Sequence, residues 1–329
     1  GGGRRGGQMV GLHDLEDGLI ARCWPEERVL AGLRVCKAVR LALRHAESAL
    51  LEVSEQSTVI LQLRQAEVPR SSAADFLRLI QWLKCPTTIH QKPFSCSKVY
   101  DEICMALISA MGLGWSNLTS LQLEITDAKL AIPLIEGLRI HRDLRHVKLF
   151  LPIGCRELKE LGTAMQGWQE LRTLDLSFNT ILDEGLLNLV EGLPHCTKLQ
   201  GLKLQSCGVT FEGIRHLGPA LRPLTSLQVL RIPFNALGDS GIYRLSRDLK
   251  HSQELRRLDF GYCSLGDRGM RGLVMSCLTL QLESLDLKGN CFGDEGAGIL
   301  GAALACLSGL KRLNIASNRF RVRGFRVNC

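Results

Sequence analysis

From residue 118 onward, apolar and polar positions repeat a single pattern. A segment of the form Leu-x-x-Leu-x-Leu alternates with period two, which predicts a short strand with one buried face. Three residues after its last apolar position stands Asn or Cys, at Asn179, Cys207, Asn235, Cys263, Asn290 and Asn318. The chain leaves the strand there, and a buried polar side chain is needed to satisfy peptide groups that lose their ladder partners. Gly185, Gly213, Gly241, Gly269, Gly296 and Gly324 follow six residues later. Asp239, Asp267 and Asp294 lie two before the glycine, where a carboxylate caps a helix N-terminus. Leu189, Leu217, Leu245, Leu273 and Leu300, then Leu193, Leu221, Leu249, Cys277 and Leu304, continue at four-residue steps as the apolar stripe of a helix.

Six gapless copies begin at Leu171, Leu199, Leu227, Leu255, Leu282 and Leu310, spaced by 28, 28, 28, 27 and 28 residues. Two weaker copies start at Leu118 and Leu144, with Thr126 and Pro152 at the Asn/Cys position, and two fainter ones lie near Thr58 and Pro86. A strand, a turn and a helix of this length cannot bury their own leucines, so the copies must stack. The period and the alternating Asn and Cys resemble the ribonuclease-inhibitor-like class of leucine-rich repeats, strongly over 118–329 and weakly over 57–117. The resemblance implies an α/β leucine-rich repeat solenoid, a horseshoe with a parallel sheet on its concave face and helices on its convex face. It also implies reduced cysteines.

In such a solenoid the polar strand positions line up in columns, and function resides there. The column before Asn/Cys reads Ile125, Leu151, Phe178, Ser206, Phe234, Tyr262, Gly289 and Ser317. Three aromatics stand in it, from a chain with only 13 Phe and Tyr. The central column reads Gln122, Lys148, Asp175, Lys203, Arg231, Asp259, Asp286 and Asn314. Aromatic anchors among charges of mixed sign have the composition of a protein-binding hot spot. The expected contact residues are therefore Phe178, Phe234, Tyr262, Lys203, Arg231, Asp175 and Asp259; the alternative is that the aromatics merely cover the sheet.

Residues 11–56 stand outside the repeat. Leu15, Leu19, Ile20 and Cys23, then Val29, Leu30, Leu33, Cys36 and Val39, recur at helical spacing around a Trp24-Pro25 break. The Leu15-Glu-Asp-Gly-Leu19-Ile20 start and the Val35-Cys36-Lys37-Ala-Val-Arg40 finish resemble an F-box, with Glu16 at the family's Pro, Val39 at its Trp and a span about three residues short. That resemblance implies that Leu15, Leu19, Ile20, Leu33 and Val35 hold the adaptor of a cullin-type ubiquitin ligase while the repeats choose its substrate. The competing expectation is a plain helical cap on the first repeat. The chain thus divides into a disordered tail (1–10), a cap or F-box-like segment (11–56), degenerate repeats (57–117) and the solenoid (118–329).

Charge sharpens the partner class. The chain carries +8, yet residues 1–56 sum to zero and the last twenty residues carry +6, leaving +2 for the body. Acids at Asp175, Asp259, Glu283 and Asp286 interrupt any basic stripe, which argues against nucleic acid. The terminal surplus falls where the last copy loses its helix, so the expectation is a chain that continues past Cys329. No long apolar run indicates a membrane segment. Thirteen cysteines, with Cys196, Cys277 and Cys306 at helical core positions and no zinc-type spacing, predict free thiols in cytoplasm or nucleus, with neither metal nor cofactor.

No catalytic residue is expected. The eight histidines are scattered, and no GxxxxGK[ST] phosphate loop occurs, which excludes a complete nucleotide-binding sensor but not the repeat region of one. The fold also resembles the repeat domain of Ran GTPase-activating proteins, which would assign a role to an arginine such as Arg142, Arg156 or Arg231. The leading expectation is a monomeric, non-enzymatic interaction protein that takes a folded protein partner on its concave face.

Overall fold

The computed structural model describes residues 49–53, 58–63, 88–91, 108, 118–125 and 127–321. By its contacts the chain forms two units, Gly1–His141 and Arg142–Cys329.

In the first unit, β1 (Ala49–Val53) pairs antiparallel with β2 (Thr58–Leu63), and β2, β3 (Thr88–Gln91) and β4 (Ser120–Glu124) run parallel. Strands therefore stand at both of the faint copies. Ala49–Val53 lies in the segment expected to be helical and is a strand instead; its ladder with β2 supplies the backbone partners that a helix would otherwise provide. On β4, Leu121 and Leu123 point into the core between half-exposed neighbours. Asp127 accepts from the Lys129 N–H to start the helical turn that leads into α1 (Ala131–Leu138). Leu118, Ile125, Leu130, Ala131, Leu134, Ile135 and Leu138 are buried with them.

Among its described residues the second unit alternates seven parallel strands with six α-helices: β5 (His146–Phe150), α2 (Cys155–Met165), β6 (Thr173–Asp175), α3 (Leu182–Val190), β7 (Gly201–Lys203), α4 (Phe211–Leu221), β8 (Val229–Arg231), α5 (Gly238–Leu249), β9 (Arg257–Asp259), α6 (Asp267–Cys277), β10 (Ser284–Asp286), α7 (Asp294–Leu304) and β11 (Arg312–Asn314). Each strand pairs with the next one period on, so Lys148, Asp175, Lys203, Arg231, Asp259, Asp286 and Asn314 stand in register. This is the α/β leucine-rich repeat solenoid.

Leucines make the core because the strand's inward face and the helical stripe meet between sheet and helices. Leu189, Leu217, Leu245, Leu273 and Leu300 are fully enclosed, as are Leu193, Leu221 and Leu249, with Cys277 nearly so. Leu304 is only half-buried and Cys306 is exposed, contrary to the stripe and to the expected buried thiol. Among the described residues, α7 packs against α6 on one side and no helix covers its other side.

The helix caps also differ in detail. Asp239 and Asp267 cap the following repeat's helix, not their own: Asp239 accepts from the Gly266 N–H, and Asp267 from those of Gly293 and Gly296. Asp183 does the same for Thr210 and Gly213, and Asp294 likewise accepts from the Arg321 N–H one repeat on. A carboxylate at a helix N-terminus meets both unpaired N–H groups and the positive end of the dipole. Each cap therefore also fastens one repeat to the next.

Candidate interaction face

The turn that ends each strand is built by the Asn/Cys column. Asn235 donates to the Leu204 and Ile232 carbonyls at 2.8 and 3.0 Å, and its Oδ1 accepts from the N–H groups of Cys207 and Val209 at 3.1 and 3.0 Å. Asn290 repeats this with Phe260 and Leu287 as acceptors and Cys263 and Leu265 as donors. Between them the cysteines reach back one repeat: Cys207 Sγ donates to the Leu176 carbonyl and Cys263 Sγ to that of Ile232, at 3.3 and 3.2 Å. Burial pushes both thiols up to about 12, so they remain protonated donors.

After β5 the turn comes one residue earlier than counting along the repeat predicts. Leu151, not Pro152, holds the Asn/Cys place: it is buried, and its N–H donates to Asn179 Oδ1 at 2.7 Å. Leu151 is thus absent from the solvent-facing column, and Phe150 is the exposed aromatic of that repeat. Ile125, in the first unit, is likewise buried. Thr126 lies outside the described residues.

The column before Asn/Cys has a property of its own. Phe178, Ser206, Phe234, Tyr262, Gly289 and Ser317 all have positive φ, between 52° and 69°. With the chain turned this way, their N–H groups continue the ladder past the strand: Phe178 donates to the Gln205 carbonyl, Phe234 to that of Gly261, and Tyr262 to that of Lys288. Only glycine adopts this conformation cheaply; any residue with a Cβ loses about 1–2 kcal/mol. Phe178, Phe234 and Tyr262 accept that cost and still leave 57%, 49% and 39% of their surface in water. Phe234 and Tyr262 stack with ring centroids 4.4 Å apart, worth about 1 kcal/mol, and Lys288 Nζ stands 5.9 Å from the Tyr262 ring centre. Tyr262 leans over Gly289, where a Cβ would come within 2.3 Å of the ring.

The expected charged residues stand in register three residues before the aromatic column, and they neutralise one another. Lys203 pairs with Asp175 at 3.4 Å and Arg231 with Asp259 at 3.0 Å. The carboxylates also close their own strand ends, Asp175 accepting from the Ser177 N–H and Asp259 from that of Gly261. Such half-exposed pairs are worth at most about 1 kcal/mol. The surplus on this face is therefore aromatic.

The arginines considered for GTPase activation are not assembled into a site. Arg156 lies on α2, Arg231 on β8 is held by Asp259, and Arg142 precedes β5. Leu15, Leu19, Ile20, Leu33 and Val35 lie outside the described residues. Among the described residues no cluster of His, Cys, Asp and Glu could hold a metal ion, and no helix is long and apolar enough to cross a membrane.

A family model described as a leucine-rich repeat matches residues 169–190, 251–274 and 282–298. Human NACHT, LRR and PYD domains-containing protein 12 is 44% identical over 81 residues, which are 23% of this chain and 8% of that protein. The matched stretch thus spans less than a tenth of that relative's length. The crystal structure of an internalin from Listeria monocytogenes is 17% identical, with a TM-score of 0.43 over 88% of this chain and 90% of that one. The leucine-rich repeat family model thus matches three of the stretches in which the repeats described above lie.

Proposed function

We propose that this leucine-rich repeat chain is a protein–protein interaction module of the ribonuclease-inhibitor-like class that binds a protein partner on its sheet face, around Phe178, Phe234 and Tyr262. The observation that carries it is the coincidence of strain and exposure: three large rings occupy left-handed positions and remain 39–57% exposed. A side chain that costs stability and covers little of its own core gains its value from what it touches outside. Lys203, Arg231, Asp175 and Asp259 surround the rings as pre-paired charges, which orient a partner more than they add affinity. Residues 11–56, with their F-box-like landmarks, fit an adaptor-binding arm of a cullin-type ubiquitin ligase.

The test is quantitative affinity capture with the whole chain, with F178A/F234A/Y262A, and with residues 11–56 deleted. The triple variant should lose its partner while staying folded, with stability lowered by no more than about 1 kcal/mol, the worth of the lost ring stack; a partner retained at wild-type strength contradicts the aromatic site. The deletion should lose the cullin adaptor, and a whole chain that recovers no adaptor overturns the ligase role. A second reading, the repeat region of a larger nucleotide-binding sensor, is favoured by the 81-residue match to NACHT, LRR and PYD domains-containing protein 12. It predicts co-purification with nucleotide-binding domains in place of a cullin adaptor.

A further inference from the structure

On the helix face, remote in the repeat from the aromatic column, lies a depression of ≈ 340 Å³ lined by Pro219, Arg222, Arg244, Arg247, Asp248, Lys250 and His251. It is formed at the C-terminal ends of α4 and α5, where Arg222 and Lys250 are the capping residues. Its one carboxylate is committed. Asp248 is 8% exposed and accepts from Arg222 Nε and Nη2 at 2.8 and 2.6 Å. It lies against Gly218, where a Cβ would approach its Oδ2 to 2.3 Å.

Arg244, Arg247 and Lys250 form no ion pair among the described residues, although the neighbouring Arg215 pairs with Glu212 and Arg271 with Glu295. Arg244 and Arg247 share one helical face at i, i+3, an arrangement in which like charges repel unless an anion lies between them. Helix dipoles account for Arg222 and Lys250 at the capping positions and for Arg247 in the last turn of α5, but not for Arg244. Four cations less one carboxylate leave three positive charges, and two helix ends subtract about one more. About two remain, which matches the charge of a phosphate monoester near neutral pH.

We propose that this depression is a binding site for a phosphorylated segment of a protein partner. Arg244 and Arg247 offer planar forks suited to phosphate oxygens, Lys250 adds a point charge, and Asp248 holds Arg222 in place. The single-group scale of the depression favours one phosphate over a polymer, which would need an extended basic stripe. The site stands apart from the sheet-face proposal and does not depend on it.

The test uses the whole chain and a fluorescein-labelled glycine–alanine peptide with one central phosphothreonine, beside its unphosphorylated twin. The phosphorylated peptide should bind at least about tenfold tighter. R244E/R247E should abolish that difference without changing the melting temperature, since both side chains are exposed, and F178A/F234A/Y262A should keep it. Equal binding of both peptides, or of neither, overturns the proposal. So does retention of the difference by R244E/R247E, or tighter binding of single-stranded DNA or phosphatidylserine vesicles that the phosphopeptide does not displace.

Discussion

Two neighbouring columns of the same turn follow opposite rules. In the Asn/Cys column, Asn235 and Asn290 are buried, and each is satisfied through both ends of its amide. One residue earlier, Phe178, Phe234 and Tyr262 are exposed and hold left-handed backbone that disfavours them. The inner column is explained completely by the fold, whereas the outer one is tolerated by it. A position that the fold explains is a poor place to look for function, and a position that costs the fold something is a better one.

The largest effect should come from the inner column. Asn290→Ala strips partners from the Phe260 and Leu287 carbonyls and from two N–H groups, all buried, and should cost about 3–5 kcal/mol in urea denaturation. An effect near zero would show that the amide is not the pin of the turn.

Next comes pH. The thiols of Cys207 and Cys263 lie at about 12 when folded, above the ordinary 9.0. Unfolding therefore releases protons once the pH passes 9, and the stability these thiols contribute below that point is lost between pH 9 and about 12. C207S/C263S keeps a donor but removes the ionisation, so its stability should fall less steeply over that window.

The outer column should respond in smaller steps and with opposite signs. Gly289→Ala combines a strained φ of 69° with a Cβ 2.3 Å from the Tyr262 ring, so it should displace the stack and cost about 1–2 kcal/mol. Phe178→Gly relieves a φ of 66° on a side chain that is mostly in water, and should leave stability unchanged or raise it by up to about 1 kcal/mol. A clear loss of stability in Phe178→Gly would show that the ring is structural.

Much of the inner column was legible. The Leu-x-x-Leu-x-Leu period alone places the strands, their register and the buried Asn and Cys, because a side-chain period of two admits only one alignment with a core. Where counting failed, at Leu151 and Pro152, the turn begins one residue early, and no periodic signal marks where a strand stops. The aromatics were visible by their scarcity, but their strain was not. Phe, Tyr and Ser carry no left-handed signature, and Gly289 was the one hint that the column requires positive φ. The pairing of Asp175 with Lys203 and of Arg231 with Asp259 could have been read from opposite charges 28 residues apart. The basic depression could not, because a body near +2 overall hides a local cluster drawn from two helices.

The central claim is that the outer column is kept for contact and not for folding. Its most direct test is the partner affinity of F178G/F234G/Y262G, measured by isothermal titration with a partner obtained by affinity capture on the whole chain. Removing three central anchors should weaken binding by at least about a hundredfold, in a protein that melts no lower than the parent. Wild-type affinity in a folded triple variant would contradict the claim.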